Sequence, residues 1–142
     1  MSEHDEQVAF FDWLRLNIKR LQPVAVNNCS VPSPNPELLK ALDLCYAVPN
    51  GGQRHIMIAV KLKRAGVVRG FPDINLDYPS RDWHGLRMEM KFGTNTLTGY
   101  QQRKKELLES VGFKYKLCYQ DRTAIETIIN YLPFKRQDYV GV

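Results

Sequence analysis

The chain has 142 residues, 44% of them hydrophobic and 25% charged; that length and balance fit one globular domain and exclude a two-domain enzyme, a disordered chain or a coiled coil. A total of 20 Lys and Arg against 15 Asp and Glu leaves a net charge of +5, which permits a polyanionic partner without naming one. Cys29, Cys45 and Cys118 are widely spaced, without a Cys-x-x-Cys pair or neighbouring His ligands, which argues against both zinc and a disulfide framework.

Phe11, Leu14, Ile18 and Leu21 recur at three- and four-residue intervals, so an amphipathic helix is expected from about Glu3 to Leu21. Pro23 ends it, and the four prolines up to Pro36 favour an irregular connection. Asn35 and Pro36 suit the cap and first position of a short helix through Leu42. A short strand over Leu44 to Val48 is followed by the turn Pro49-Asn50-Gly51-Gly52 and a basic helix from Arg54 to Ala65. The alternating runs Asp73 to Asp77 and Leu86 to Phe92 are the clearest strands. A helix from about Thr98 to Val111, a strand from Phe113 to Tyr119 and a helix from Asp121 to Leu132 complete the order. The expected fold is α/β, a mixed β-sheet flanked by helices, in a single domain with its core over about 3–132 and a short tail over 133–142. His4, His55 and His84 are expected on the surface or in loops. Trp13, Tyr100 and Tyr131 are expected to be packing residues.

No apolar run approaches the roughly 18–20 residues that span a bilayer, and the first residues are acidic where a signal peptide is basic and then apolar. A soluble, intracellular protein is expected, with no membrane partner.

The chemistry gathers at the two clear strands. If residues 78–84 close an antiparallel hairpin symmetrically, Asn75 faces Arg87 and Asp73 faces Glu89, with opposed Cβ atoms roughly 4.5–5.5 Å apart. Alternation then puts Asp73, Asn75 and Asp77 on one face with Arg87, Glu89 and Lys91, and Ile74, Leu76, Leu86, Met88, Met90 and Phe92 on the other. Two opposed carboxylates repel unless something positive lies between them. A hard divalent cation, Mg²⁺ or Mn²⁺, supplies that charge, lowers the pKa of bound water and withdraws charge from a phosphate. Lys91 is placed to orient the water or to stabilise developing charge. The same pattern also describes an exposed strand face on which neighbouring cations neutralise Glu89.

The ordered set Pro49-Asn50-Gly51-Gly52-x-Arg54, Gly70-Phe71-Pro72-Asp73, Glu89-Met90-Lys91 and Gln101 resembles the VRR-NUC family, part of the PD-(D/E)xK superfamily of metal-dependent nucleases, from the first helix to about Leu132. The resemblance implies a restriction-endonuclease-like core in which Asp73 and Glu89 hold the metal, the Met90 carbonyl is a further ligand, Lys91 is the catalytic lysine and Gln101 supports the site. It also implies a first-helix glutamate at the metal, for which Glu3 and Glu6 are both candidates. Gln101 shares a helical face with Lys104, Leu108 and Val111, consistent with its pointing to the sheet.

Lys61, Lys63, Arg64 and Arg69 before the hairpin and Arg103, Lys104 and Lys105 after it, together with Arg54, are positioned in sequence to meet phosphates; such contacts suit DNA shape better than base sequence. Stand-alone members of the family resemble Holliday-junction resolvases and are similar to viral or bacterial proteins. The resemblance therefore implies a homodimeric endonuclease acting on branched DNA in recombination or repair, in the cytoplasm of a bacterium or of a phage's host, without a nucleotide cofactor. A flap or restriction-type nuclease on the same core, or a catalytically silent DNA-binding protein, remain alternatives.

Overall fold

Ser2 starts α1 (Glu3–Leu21) by accepting the Asp5 backbone N–H at 3.2 Å, and acidic side chains fill the first turn, where the helix dipole favours them. The computed structural model describes residues 1–49 and 55–142; the expected Pro-Asn-Gly-Gly turn beyond Pro49, and Arg54 with it, lie outside the described residues. Where an irregular connection is expected, β1 (Val24–Val26) and β2 (Cys29–Val31) instead form an exposed antiparallel hairpin. Asn27 and Asn28 both adopt positive φ, 50° and 64°, which is what a two-residue hairpin loop needs to match the twist of its strands. α2 (Pro36–Asp43) begins as its sequence indicates, with the Asn35 side chain accepting the Leu38 N–H at 3.1 Å.

β3 (Cys45–Ala47), α3 (Ile56–Arg64), β4 (Ile74–Leu76), β5 (Leu86–Met90), α4 (Gly99–Ser110), β6 (Lys114–Cys118) and α5 (Asp121–Tyr131) follow. The main sheet has the order β3-β4-β5-β6; its first two pairings are antiparallel and the last is parallel. In the β4–β5 pair Asn75 faces Arg87, with Ile74 opposite Met88 and Leu76 opposite Leu86, the register a symmetric hairpin requires. The fold is thus α/β with a mixed sheet.

The apolar face of this hairpin, Ile74, Leu76, Leu86, Met88 and Met90, is fully buried against Phe10, Leu14 and Leu21 of α1, Leu38 and Leu42 of α2, and Ile125 and Ile128 of α5. Burying each such side chain stabilises the fold by roughly 1.5–3 kcal/mol. α4 lies on the opposite, polar face, where Gln101 reaches β5 and Lys105 lies over the Tyr115 ring of β6. No described helix is long and apolar enough to cross a membrane.

Beyond α5 the chain packs back onto α1. Tyr139 is buried and stacks on Trp13 at 5.9 Å between ring centroids. The Val140 carbonyl accepts from Trp13 Nε1 at 2.9 Å and from Asn17 Nδ2 at 3.1 Å, while the Val140 N–H donates to Asn17 Oδ1 at 2.9 Å. The expected tail is therefore part of the packed body.

Candidate active site

The polar face of the β4–β5 hairpin has two ends of opposite electrostatic character. At one end Arg87 pairs with Asp77 at 3.0 Å and lies over the Phe113 ring at 4.5 Å, while the Tyr46 hydroxyl donates to Asp77 at 3.0 Å. That end is internally neutralised. At the other end Asp73 and Glu89 stand together, and Glu89 is only 2% exposed. An exposed, solvated strand face is excluded there.

Each carboxylate is held by one oxygen. Asp73 Oδ2 accepts the Met90 backbone N–H at 2.9 Å, locking the residue before β4 onto β5. Glu89 Oε1 accepts from Gln101 Nε2 at 2.8 Å. Gln101 is placed for this by the start of α4, where Thr98 and Gln101 form a reciprocal capping box: the Gln101 N–H donates to Thr98 Oγ1 and the Thr98 N–H to Gln101 Oε1. Glu89 Oε2, fully buried, has no hydrogen-bond partner within the protein. Burial first, and then the neighbouring charge of Asp73, push the Glu89 carboxyl up to about 9, against the opposing pull of Lys91.

Lys91 is 9% exposed, and its backbone N–H donates to the Cys118 carbonyl at 2.9 Å, so its position is fixed by the end of β5 against β6. It lies near enough to Glu89 for its charge to act on that carboxyl.

The residues present fit a divalent cation. Two hard carboxylates converge, the Glu89 oxygen turned away from Gln101 is orphaned, and their mutual repulsion is what a cation relieves. Among the described residues, however, no group of three His, Cys, Asp or Glu side chains could hold a metal, so neither Glu3 nor Glu6 completes such a set with Asp73 and Glu89. The reason for Glu6 is visible: although buried, its Oε2 accepts the Asp121 backbone N–H at 2.7 Å and so caps α5, whose own cap residue Gln120 makes no side-chain hydrogen bond. Glu3 sits half-buried in the first turn of α1.

Of the basic residues expected near phosphates, Lys61, Lys63 and Arg64 are exposed on α3, and Arg103 is exposed on α4. Arg69 is exposed and lies over the Tyr100 ring at 5.4 Å, and Lys104 lies over Phe71 at 4.9 Å. Lys105 is paired with Glu109 at 3.0 Å. These cation–ring contacts bind the loop before Asp73 to the start of α4, helped by Gly70: a Cβ there would come within 2.5 Å of the Tyr100 carbonyl oxygen, and its φ is +89°. Tyr100 is accordingly exposed, contrary to its expected packing role, because its ring carries Arg69 on the surface. Trp13 and Tyr131 are buried as expected, and His4, His55 and His84 are all exposed.

Sequence reasoning passed over Tyr115. It faces Arg87 across the parallel β5–β6 pair, and so shares the polar face with Glu89. It is 6% exposed with its hydroxyl unpartnered within the protein, and burial and the charges of Glu89 and Asp73 raise its pKa. Only the register of β6 against β5 reveals it, because Lys114-Tyr115-Lys116 reads as an ordinary edge strand.

No family model matches the chain, and no curated protein does. A solved structure, described as a VRR_NUC domain protein, superposes with a TM-score of 0.64 at 23% identity, over 92% of this chain and 88% of its own. The likeness is one of fold and extends over nearly the whole of both chains, so the chain has the VRR-NUC fold that the resemblance of its ordered motifs implies.

Proposed function

We propose that the chain is a Mg²⁺- or Mn²⁺-dependent endonuclease that hydrolyses phosphodiester bonds in branched DNA, above all four-way junctions, as a homodimer. The observation that carries this reading is the pairing of Asp73 with the buried Glu89, a repulsion that the charge of Lys91 does not cancel, at one end of a hairpin whose other end is ion-paired. The likeness to a VRR_NUC domain protein supports a nuclease.

A divalent cation, when held by Asp73, Glu89 and the Met90 carbonyl, supplies the charge that polarises a phosphate oxygen and makes water nucleophilic near neutral pH. Gln101 holds one oxygen of Glu89, and the other has no hydrogen-bond partner within the protein. The Met90 N–H fixes Asp73 in the same way. Lys91 stabilises negative charge as it builds on the phosphoryl oxygens during in-line displacement, which leaves a 5′-phosphate. Arg69, Arg103, Lys104 and Lys105, around the start of α4, hold the flanking backbone, and Lys61, Lys63 and Arg64 extend that basic surface along α3.

Support for a dimer comes from α3, which buries none of its residues; Ile56, Met57, Ile58 and Val60 are each more than half exposed. Two copies would present two sites to opposed strands of a junction.

The test is cleavage of a synthetic four-way junction, beside flap and linear duplex substrates, with Mn²⁺ and with EDTA. Symmetric paired nicks that need Mn²⁺ are expected. Cuts confined to flaps or duplex replace the junction with the other nuclease substrates, and binding without cleavage makes the protein a silent DNA binder.

A further inference from the structure

Among the described residues, three buried polar side-chain atoms have no hydrogen-bond partner within the protein: Glu89 Oε2, Tyr115 Oη and Tyr139 Oη. Buried polar groups are almost always paired, so each orphan needs an explanation. Two of the three lie on one face of the sheet. Arg87 faces Tyr115 and Glu89 faces Leu117 in the parallel pair, which makes Glu89 and Tyr115 diagonal neighbours on adjacent strands. The same helix covers both: Gln101 bonds Glu89, and Lys105, one turn further along α4, lies 5.8 Å over the Tyr115 ring.

The two orphans are chemically complementary to one small ligand. A phenol can donate one hydrogen bond, and a carboxylate oxygen can only accept or coordinate. A phenol is protonated at neutral pH in any case, and so its hydroxyl is a donor.

We propose that Tyr115 is a positioning residue of the carboxylate site, its hydroxyl donating to a water molecule that is bound beside Glu89 Oε2. The inference rests on the metal-dependent reading above, in which that water belongs to the cation's hydration shell. Lining groups that orient a metal's own ligands typically change metal affinity or activity by about ten- to a hundredfold when lost. The hydroxyl therefore fixes the water in place before any substrate arrives. Tyr115→Phe keeps the ring beneath Lys105 and deletes only the orphaned oxygen, so the fold itself gains or loses little.

The experiment titrates Mn²⁺ alone, without DNA, into wild type, Tyr115→Phe and Tyr139→Phe, following heat release and the melting temperature. Tyr139→Phe is the control, because it deletes an equally buried orphan hydroxyl that stacks on Trp13, away from the carboxylates. The expected result is a Mn²⁺ dissociation constant raised about tenfold or more in Tyr115→Phe, unchanged in Tyr139→Phe, with the metal-free melting temperature of both at or above wild type. Mn²⁺ binding by Tyr115→Phe equal to that of wild type overturns the assignment while leaving the nuclease reading intact. A wild type that binds no Mn²⁺ overturns both, and is recognised because it fails before any variant is compared.

Discussion

Gln101 Nε2 donates to Glu89 Oε1 at 2.8 Å while the oxygen of the same amide accepts the Thr98 N–H at 2.9 Å. One side chain thus starts α4 and holds the Glu89 carboxylate, so the position of the helix and the orientation of Glu89 are set by a single group. Gln101→Glu keeps an acceptor for Thr98 but loses the donor to Glu89; Gln101→Ala loses both. The expected outcome is a stability loss of about 1 kcal/mol for the alanine variant and less for the glutamate. Both should lower kcat for junction cleavage, which thermal melts and steady-state kinetics would separate.

Metal-free stability should fall as the pH rises. Glu89 has its carboxyl pushed up to about 9 in the folded state from a reference value of 4.5. Between those values the folded protein holds a proton that the unfolded chain has released. The contribution is fully present below the lower value and is lost as pH climbs to the upper one, at a slope of no more than about 1.4 kcal/mol per pH unit. Urea unfolding between pH 5 and pH 9, on the order of the window in which the group titrates, with EDTA present is the measurement; a flat profile from this group would contradict the burial of Glu89 beside Asp73. Binding of Mn²⁺ at pH 7 should release about one proton, visible as a dependence of binding heat on the buffer's ionisation enthalpy.

Asp73→Asn should separate stability from activity. The asparagine oxygen can still accept the Met90 N–H, but the charge that repels Glu89 is gone. The metal-free protein at pH 8 should gain about 1 kcal/mol, with cleavage reduced at least about a hundredfold. Glu89→Ala and Lys91→Ala should also abolish cleavage. Wild-type activity in all three positions would mean that the site has been placed wrongly.

Glu6 should behave as a cap. Glu6→Ala strips the Asp121 N–H of its acceptor at the start of α5, at an expected cost of about 1–2 kcal/mol. Glu6→Gln retains an oxygen for that bond and should cost less than half as much. Equal destabilisation by the two substitutions in thermal melts would show that the hydrogen bond is not what matters.

Binding to a four-way junction should weaken steeply with salt, each phosphate contact contributing about 0.9 to the slope of log affinity against log salt. Arg103→Gln and Lys104→Gln should each make the slope shallower by about that amount. Lys105→Gln should change it less, because Lys105 is already drawn to Glu109 at 3.0 Å. Fluorescence anisotropy in EDTA from 50 to 300 mM salt, on the order of the range over which such contacts are lost, gives the three slopes.

The hairpin and its carboxylate pair were legible in the sequence because period-two alternation fixes which side chains share a face, and a symmetric turn fixes which residues oppose each other; Asn75 opposite Arg87 is the case in point. The helix start at Asn35 was legible through local capping chemistry, whereas the capping box of Thr98 and Gln101 emerged only from the structure. What escaped depends on contacts between distant segments. The Glu6 bond to Asp121 spans 115 residues of sequence, and no local pattern announces it. Tyr115 acquires its meaning from a parallel register, which a tight turn does not dictate. The β1–β2 hairpin escaped for the opposite reason: its strands are short and exposed, and its turn uses two asparagines at positive φ in place of a glycine.

The pairing of Asn17 with Val140 imitates a rung of a β-ladder, a side-chain amide taking the place of a second backbone strand. Its consequence is kinetic. The Val140 amide should exchange its hydrogen with solvent as slowly as amides of the core, since releasing it means parting Tyr139 from Trp13 and opening α1 as well. The segment after Pro133 then reports on the integrity of the first helix, and a probe placed there would register the unfolding of α1 from the other end of the chain.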